Sequence, residues 1–295
     1  MNDLKLIGLS TGYRRIHYNW RDVALYALGV GAGKKDLLYT YEKGMKAIPT
    51  YGTIPVFCAV NIEPQVPRPD PAVNIVRRVL EREKGGEIKS LHMGLEFLYH
   101  RPIDPIKGTF VFEDKVERIY DWGEKGVVVQ SRMDVYDEAG QLLCTNISRD
   151  GQFYGGGFGG VPLPKSTVNY PEREPDIVCE EQLSPVQNVL YRLSGDTNAV
   201  HIDPVLAKEQ AGQPWAFMQG LCTYGFACRM LIEGIIPGKP EQMKRMNAQM
   251  RAILLPEDKI RLEGWYVCEK KVVFRLKETG TGKVILGNGE FEWEK

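Results

Sequence analysis

The chain has 295 residues, and its 38 lysines and arginines balance 38 aspartates and glutamates. That balance gives no broad field to draw nucleic acid or an anionic membrane surface, and no apolar run is long enough to cross a bilayer. The length suits two ordinary domains or one large one, and an apolar fraction of 43% supplies a full core.

The first residues, Met1-Asn2-Asp3-Leu4-Lys5, lack the apolar stretch of a secretory signal. Cys58, Cys144, Cys179, Cys222, Cys228 and Cys268 show no C-x-x-C spacing and sit mostly inside apolar runs. They read as reduced, buried thiols of a cytoplasmic protein. His17, His92, His100 and His201 are the only histidines, and none has a spaced partner, so no metal is expected.

The residues up to Tyr18 read as a strand or an arm. Asn19 reads as a helix N-cap with Asp22 at the third helical position, followed by Val23, Leu25, Tyr26 and Leu28. The run from Gly29 to Gly33 ends that helix. Leu37 to Tyr41 reads as a short strand. Pro49-Thr50-Tyr51-Gly52 turns into an apolar run from Ile54 to Val60, and Pro64 to Pro71 is a proline-rich connection. Val73, Ile75, Val76, Val79 and Leu80 have helical spacing between Pro71 and Lys84. The Arg77, Arg78, Glu81 and Arg82 face of that helix reads as solvated in preference to a phosphate site.

From Leu91 to Tyr154 the period changes to two. Phe110 to Phe112, Val116 to Tyr120, Val127 to Tyr136 and Leu142 to Ile147 read as strands of an antiparallel meander. Turns are expected at Trp122–Gly126 and Asp137–Gly140. The run from Gly155 to Gly160 invites comparison with a phosphate cradle. It lacks the Gly-Lys-Ser/Thr ending of a P-loop, and Pro162 and Pro164 forbid a helix start behind it, so it reads as a strand exit into a linker.

The order of elements then repeats. Ser184 reads as an N-cap, with Pro185 at the first helical position and Gln187 closing a capping box. Ser184 stands 165 positions after Asn19, and Tyr191 stands 165 after Tyr26. Gly220 to Ile232 reads as an apolar helix. Ile260 to Trp265, Val272 to Leu276, Val284 to Leu286 and Glu290 to Trp293 read as strands, with the Phe274–Gly280 hairpin planned like Val135–Gly140. Two copies of one helix-plus-antiparallel-sheet unit follow: residues 1–160, a linker at 161–180, and residues 181–295.

The chemistry gathers after the second helix, in Ser194-Gly195-Asp196-Thr197-Asn198-Ala199-Val200-His201-Ile202-Asp203-Pro204. Gly195 allows a sharp turn, and Pro204 is expected to stop a helix from running through. Asp196, Asn198 and His201 place a carboxylate, an amide and an imidazole within six residues. Gly220 opens the apolar helix, whose first N–H groups can face whatever the loop holds. These groups suit acid–base chemistry on a polarised carbonyl. At the same offset Asp196 falls on Gly31, Asn198 on Gly33 and His201 on Asp36, so the first copy has the frame without the chemical groups.

Leu193-Ser194-Gly195-Asp196-x-Asn198-x-Val200-His201-x-Asp203-Pro204-x-x-Ala207, with Ala211-Gly212 and Gly220-Leu221-Cys222-Thr223-Tyr224-Gly225, resembles the signature of the MaoC-like, type 2 enoyl-CoA hydratases. Arg21-Asp22-Val23, Leu25 to Gly33 and Gly156 to Gly160 resemble the double hot-dog members of that family. The resemblance implies an α+β double hot-dog fold, two helix-wrapped antiparallel sheets, with catalysis in the C-terminal copy and room for the acyl tail in the N-terminal one. It implies (R)-specific addition of water to trans-2-enoyl-CoA, or the reverse dehydration. Asp196 and His201 would share the proton transfers, Asn198 would position the water or the carboxylate, and the Gly220 amide beside Gln219 would hold the enolate oxygen. No cofactor is expected; the partner is a small acyl-CoA, with an acyl carrier protein the lesser alternative, in a homodimer. A catalytically silent acyl-CoA-binding subunit and a hot-dog thioesterase are the rival readings. Three positions depart from the family pattern: Ala199 replaces proline, Gln219 replaces histidine and Glu257 replaces glycine.

Overall fold

A computed structural model describes residues 5–57 and 71–294. The expected apolar run to Val60 and the connection from Pro64 lie partly outside these residues. The N-terminal half contains strand β1 (Arg14–Asn19) and helices α1 (Trp20–Gly29), α2 (Leu37–Thr40), α3 (Ile54–Phe57) and α4 (Ala72–Lys84). Strands β2 (Ser90–Tyr99), β3 (Lys107–Asp121), β4 (Val127–Tyr136) and β5 (Leu142–Gln152) complete it. The C-terminal half has β6 (Ile177–Gln182), α5 (Gln187–Arg192), α6 (Pro204–Ala211) and α7 (Gly220–Ile235), then β7 (Met243–Met250), β8 (Lys259–Cys268), β9 (Lys271–Glu278) and β10 (Val284–Trp293).

The strands form one ten-stranded sheet in the order β1-β3-β4-β5-β2-β7-β10-β9-β8-β6. Read from either end, the order is the same once corresponding strands are matched, so the duplication seen in the sequence is a pseudo-two-fold axis between β2 and β7. The two expected sheets are therefore joined edge to edge. Leu95 lies opposite Ala248 and Phe97 opposite Met246 across this antiparallel seam. Gly94 permits the close approach, since a Cβ there would stand 2.7 Å from the Ala248 carbonyl oxygen. The axis also brings α1 onto α5. The corresponding tyrosines Tyr26 and Tyr191 meet with ring centroids 6.0 Å apart, as isologous contacts require.

Helix α7 is mostly apolar and buried from Leu221 to Ile232, with its Arg229 paired to Glu181 and Glu233, as expected of a helix enclosed by a sheet. Tyr224 anchors it by donating to the Met246 carbonyl at 2.7 Å. Helix α1 starts as expected: Asn19 Oδ1 accepts from the Arg21 N–H at 2.9 Å, and Asp22 Oδ2 accepts from the Asn19 N–H at 2.8 Å.

Several local expectations are corrected. Leu37 to Thr40 is one helical turn and not a strand; four residues are too few to show a period. Ser184 and Gln187 form no capping box. The Gln187 side chain instead donates to the Leu28 and Gly29 carbonyls at 3.0 and 2.7 Å, satisfying the end of α1 from the other half of the chain. No helix runs through Pro204; the proline also begins α6, with Asp203 as the N-cap accepting from Val205 and Leu206. Strands β2 and β7 lie outside the strands expected from the sequence, and β6 begins within the expected linker. The glycine-rich run after β5 does bind an anion, but its own: the Asp121 carboxylate accepts from the N–H groups of Gly157, Gly159 and Gly160 at 2.8, 2.8 and 3.3 Å.

Candidate active site

The loop between α5 and α6 carries the three polar groups. Gly195 has φ +128°, the positive value that a glycine admits cheaply. Asp196 is buried, 7% exposed, and its Oδ1 accepts from the Asn198 N–H at 3.3 Å. Asn198 is exposed and caps the short 3₁₀ turn Ala199–His201 by accepting from the Val200 N–H at 3.4 Å.

His201 is held on two sides. Its Nδ1 lies 3.1 Å from the Phe217 carbonyl oxygen. A carbonyl only accepts, so Nδ1 carries the proton and Nε2 keeps its lone pair in the neutral ring. The Phe217 ring stands edge-on to the imidazole at 4.8 Å. Burial lowers the His201 pKa below its usual 6.5, while the Asp196 charge and the Phe217 carbonyl pull it back up. The net direction favours a neutral base at pH 7.

Sequence reasoning missed the brace behind this histidine. Asn188 on α5 is buried and donates through Nδ2 to the His201 carbonyl at 2.7 Å. Its own carbonyl accepts from Gln219 Nε2 at 3.0 Å. Gln219, fully buried at the head of α7, thus ties the start of that helix to α5. The signal in the sequence was a polar residue inside an apolar helical run, next to Val189.

Gly220 is the first residue of α7, and the N–H groups of that turn have no acceptor within the helix. A Cβ at Gly220 would meet Met250 Cγ at 3.5 Å and His92 Nδ1 at 3.9 Å. His92 comes from β2, in the other half of the chain. The equivalent loop of the N-terminal half carries no such groups, while its strand β2 places an imidazole beside the start of α7. The empty loop has a steric cause. Gly31, the counterpart of Asp196, has φ +86°, and a Cβ there would lie 2.2 Å from the Phe226 ring. Asp36, the counterpart of His201, accepts from the Gly33 N–H at 2.6 Å and serves its own turn.

Residues 166–288 match the MaoC like domain, and residues 16–149 match the MFE-2 hydratase 2 N-terminal domain. The probable enoyl-CoA hydratase 2 of Dictyostelium discoideum is 30% identical over 93% of this chain and 91% of its own length. The chain belongs to the MaoC-like, type 2 enoyl-CoA hydratase family. The peroxisomal enoyl-CoA hydratase 2 of Arabidopsis thaliana is 29% identical over 92% of this chain and 89% of its own. A MaoC-like dehydratase from Phytophthora capsici superposes over 100% of this chain and 99% of its own, with a TM-score of 0.85 and 30% identity. The fold is the double hot-dog, and the hydratase reading stands over the silent-subunit and thioesterase readings.

Proposed function

We propose that this protein adds water to trans-2-enoyl-CoA to give (R)-3-hydroxyacyl-CoA, and catalyses the reverse dehydration, with Asp196 and His201 as the proton-transferring pair. The carrying observation is the fixed tautomer of His201. With Nδ1–H held by the Phe217 carbonyl, Nε2 is the one ring nitrogen that can accept a proton. A water held between Nε2 and Asp196 gives up that proton as its oxygen bonds C3. The C2 carbon takes a proton back from the same pair, so H and OH are added overall. Negative charge collects on the thioester oxygen in between, and the Gly220 N–H at the start of α7 is the donor for it, an effect often worth about 3 kcal/mol. Asn198 shapes the turn that aims His201. No cofactor takes part in these bond changes.

The CoA thioester is the substrate in preference to an acyl carrier protein. Among the described residues the cysteines are unpaired and no helix is long and apolar enough to cross a membrane. We place the reaction in a reducing compartment, the cytoplasm, with the peroxisome, named for the Arabidopsis relative, as the alternative that localisation of the tagged protein decides. A homodimer belongs to the proposal. Leu28 on α1 and its counterpart Leu193 after α5 are both exposed, beside exposed Val186 and Val189, and such a pseudo-symmetric apolar surface suits a second copy; mass in solution tests it. The activity is tested by following loss of enoyl absorbance with crotonyl-CoA and by oxidising the product with stereospecific dehydrogenases. An (S) product, or no turnover by folded protein, overturns the reading.

A further inference from the structure

The inner face of the N-terminal sheet is not uniformly apolar. Val73, Val76 and Leu80 of α4 pack with Val116, Val127 and Val129 in a small cluster, while Phe110, Phe112, Met133 and Val135 belong to the main core. Asp114 lies between Phe112 and Val116 on β3, and Ser131 lies between Val129 and Met133 on β4. Ser131 pairs with Ser148 across β4 and β5, and Asp150 follows two residues later on the same face. A polar seam therefore divides the two apolar clusters.

The seam encloses a cavity of about 10 Å³ lined by Asp114, Ser131, Asn146, Ser148 and Asp150, with Met133 among its apolar walls. That is room for one water-sized group. Among the described residues its polar walls hold more acceptors than donors, with the Ser131 hydroxyl beside the Asp114 carboxyl. Asp114 is 4% exposed; its Oδ2 accepts from the Ala72 N–H at 2.7 Å, but among the described residues its Oδ1 has no hydrogen-bond partner. Asn146 is 1% exposed and donates through Nδ2 to the Gly52 carbonyl at 3.0 Å, which leaves its Oδ1 in the same position. The Ser148 hydroxyl donates to Asp150 Oδ2 at 2.8 Å. Among the described residues that line the space there is no lysine or arginine. Buried acceptors left without donors are costly, so a group that donates there is favoured.

Strand register relates the seam to the start of α7. Asp150 stands opposite His92 across β5 and β2, and His92 is the imidazole that faces Gly220. From β3 to β2 is three strand spacings, roughly 14 Å at about 4.8 Å each. An extended chain covers that in roughly ten to twelve bonds at about 1.3 Å per bond.

We propose that this cavity binds a hydroxyl group near the far end of the acyl chain, which donates to Asp114 Oδ1 and accepts from Ser131, so that the protein selects hydroxylated medium-chain enoyl thioesters. A hydroxyl fits where a carboxylate does not: the site already holds the carboxyl groups of Asp114 and Asp150. This inference rests on the hydratase reading and names its substrate class.

The test compares enoyl-CoA substrates of about eight, ten and twelve carbons with and without a terminal hydroxyl, using the full chain. The expected result is a preference in kcat/KM for the hydroxylated member of roughly tenfold or more at the best-fitting length. Asp114→Leu should bring that ratio close to one. Ser131→Ala, a smaller change, should reduce it severalfold and covers the case in which Asp114→Leu does not fold. A ratio near one at every length in the wild type, or a ratio that survives both substitutions, overturns the proposal, since the cavity then holds structural water only. Binding of hydroxylated and plain saturated acyl-CoA by calorimetry reads the cavity without turnover. A protein that shows the binding preference but hydrates no enoyl-CoA loses the hydratase reading and keeps the pocket; one that hydrates but shows no preference does the reverse.

Discussion

A Cβ built on Gly31 would stand 2.2 Å from Cε1 of Phe226, and 2.8 Å from Nη2 of Arg229. The N-terminal counterpart of Asp196 is thus closed by a helix of the other half, and Arg229 holds that closure by donating through Nε to the Val30 carbonyl at 2.9 Å. The lack of a carboxylate at the position equivalent to Asp196 is a packing result. Gly31→Asp should not create a second site. It adds a clash to a left-handed backbone position and should destabilise the fold by about 2–5 kcal/mol. By contrast Asp36→Ala, which removes only a turn contact, should leave turnover near normal. Denaturant midpoints and crotonyl-CoA rates decide both; a collapse of turnover in folded Asp36→Ala protein would count against the division of labour.

The catalytic pair makes the sharpest mutational claim. Asp196→Asn and His201→Ala should each lower kcat by roughly 100-fold or more, with melting behaviour close to wild type. A folded variant that keeps near-normal kcat removes its residue from the mechanism.

His201 also sets a pH dependence. Its pKa in the folded protein lies below 6.5, chiefly because burial disfavours the charged ring. The active form is neutral, so the acid limb of the kcat/KM profile should fall below pH 6.5. The sign for stability is the same. The unfolded chain binds the proton more readily, so this group's contribution is present above pH 6.5 and is lost as pH falls through the window beneath it. An acid limb of kcat/KM centred at or above pH 6.5 contradicts the lowered pKa of His201.

The residues differ in how far they could be read without coordinates. Asp196, Asn198 and His201 were legible because they share one loop, and α4, β4 and α7 because a sustained apolar period marks them. Strand β7 was not: Met-Lys-Arg-Met-Asn-Ala-Gln-Met has little β-branched content, and its place at the centre of the sheet comes from pairing with β2 and β10. His92 was noted as a lone histidine, and its nearness to Gly220 depends on that same long-range pairing. Gly31 was visible as a gap in the duplicated motif, but the reason for the gap, Phe226, lies in the other half of the chain.

Gln219 replaces the family histidine, and its side chain faces α5 through the bond to the Asn188 carbonyl. Its Oε1 has no partner among the described residues. Gln219→Ala should cost about 1–3 kcal/mol by leaving that buried carbonyl unsatisfied. It should also lower kcat several-fold, because Asn188 holds the His201 carbonyl. Gln219→His should introduce a titrating group and alter the pH profile or the ranking of acyl chains. Coincident profiles for wild type and both variants across pH and chain length would make Gln219 a bystander.

Glu257 shows what the third departure from the family pattern costs. It has φ +69°, in the left-handed region where glycine is at ease and a residue with a Cβ is strained by about 1–2 kcal/mol. The turn is kept because its neighbours hold it: the Gln182 side chain donates to the Glu257 carbonyl, and Asp258 accepts from the Leu255 N–H at 2.7 Å. Neither bond uses the Glu257 side chain, so a glycine can inherit both. Glu257→Gly should therefore raise the unfolding free energy by about 1 kcal/mol, less what the freer glycine loses in the unfolded chain. Glu257→Ala, which keeps the Cβ, should give no such gain. Urea midpoints of the three proteins decide it: equal midpoints for glycine and alanine would show that backbone strain at this turn does not explain why the family prefers glycine there.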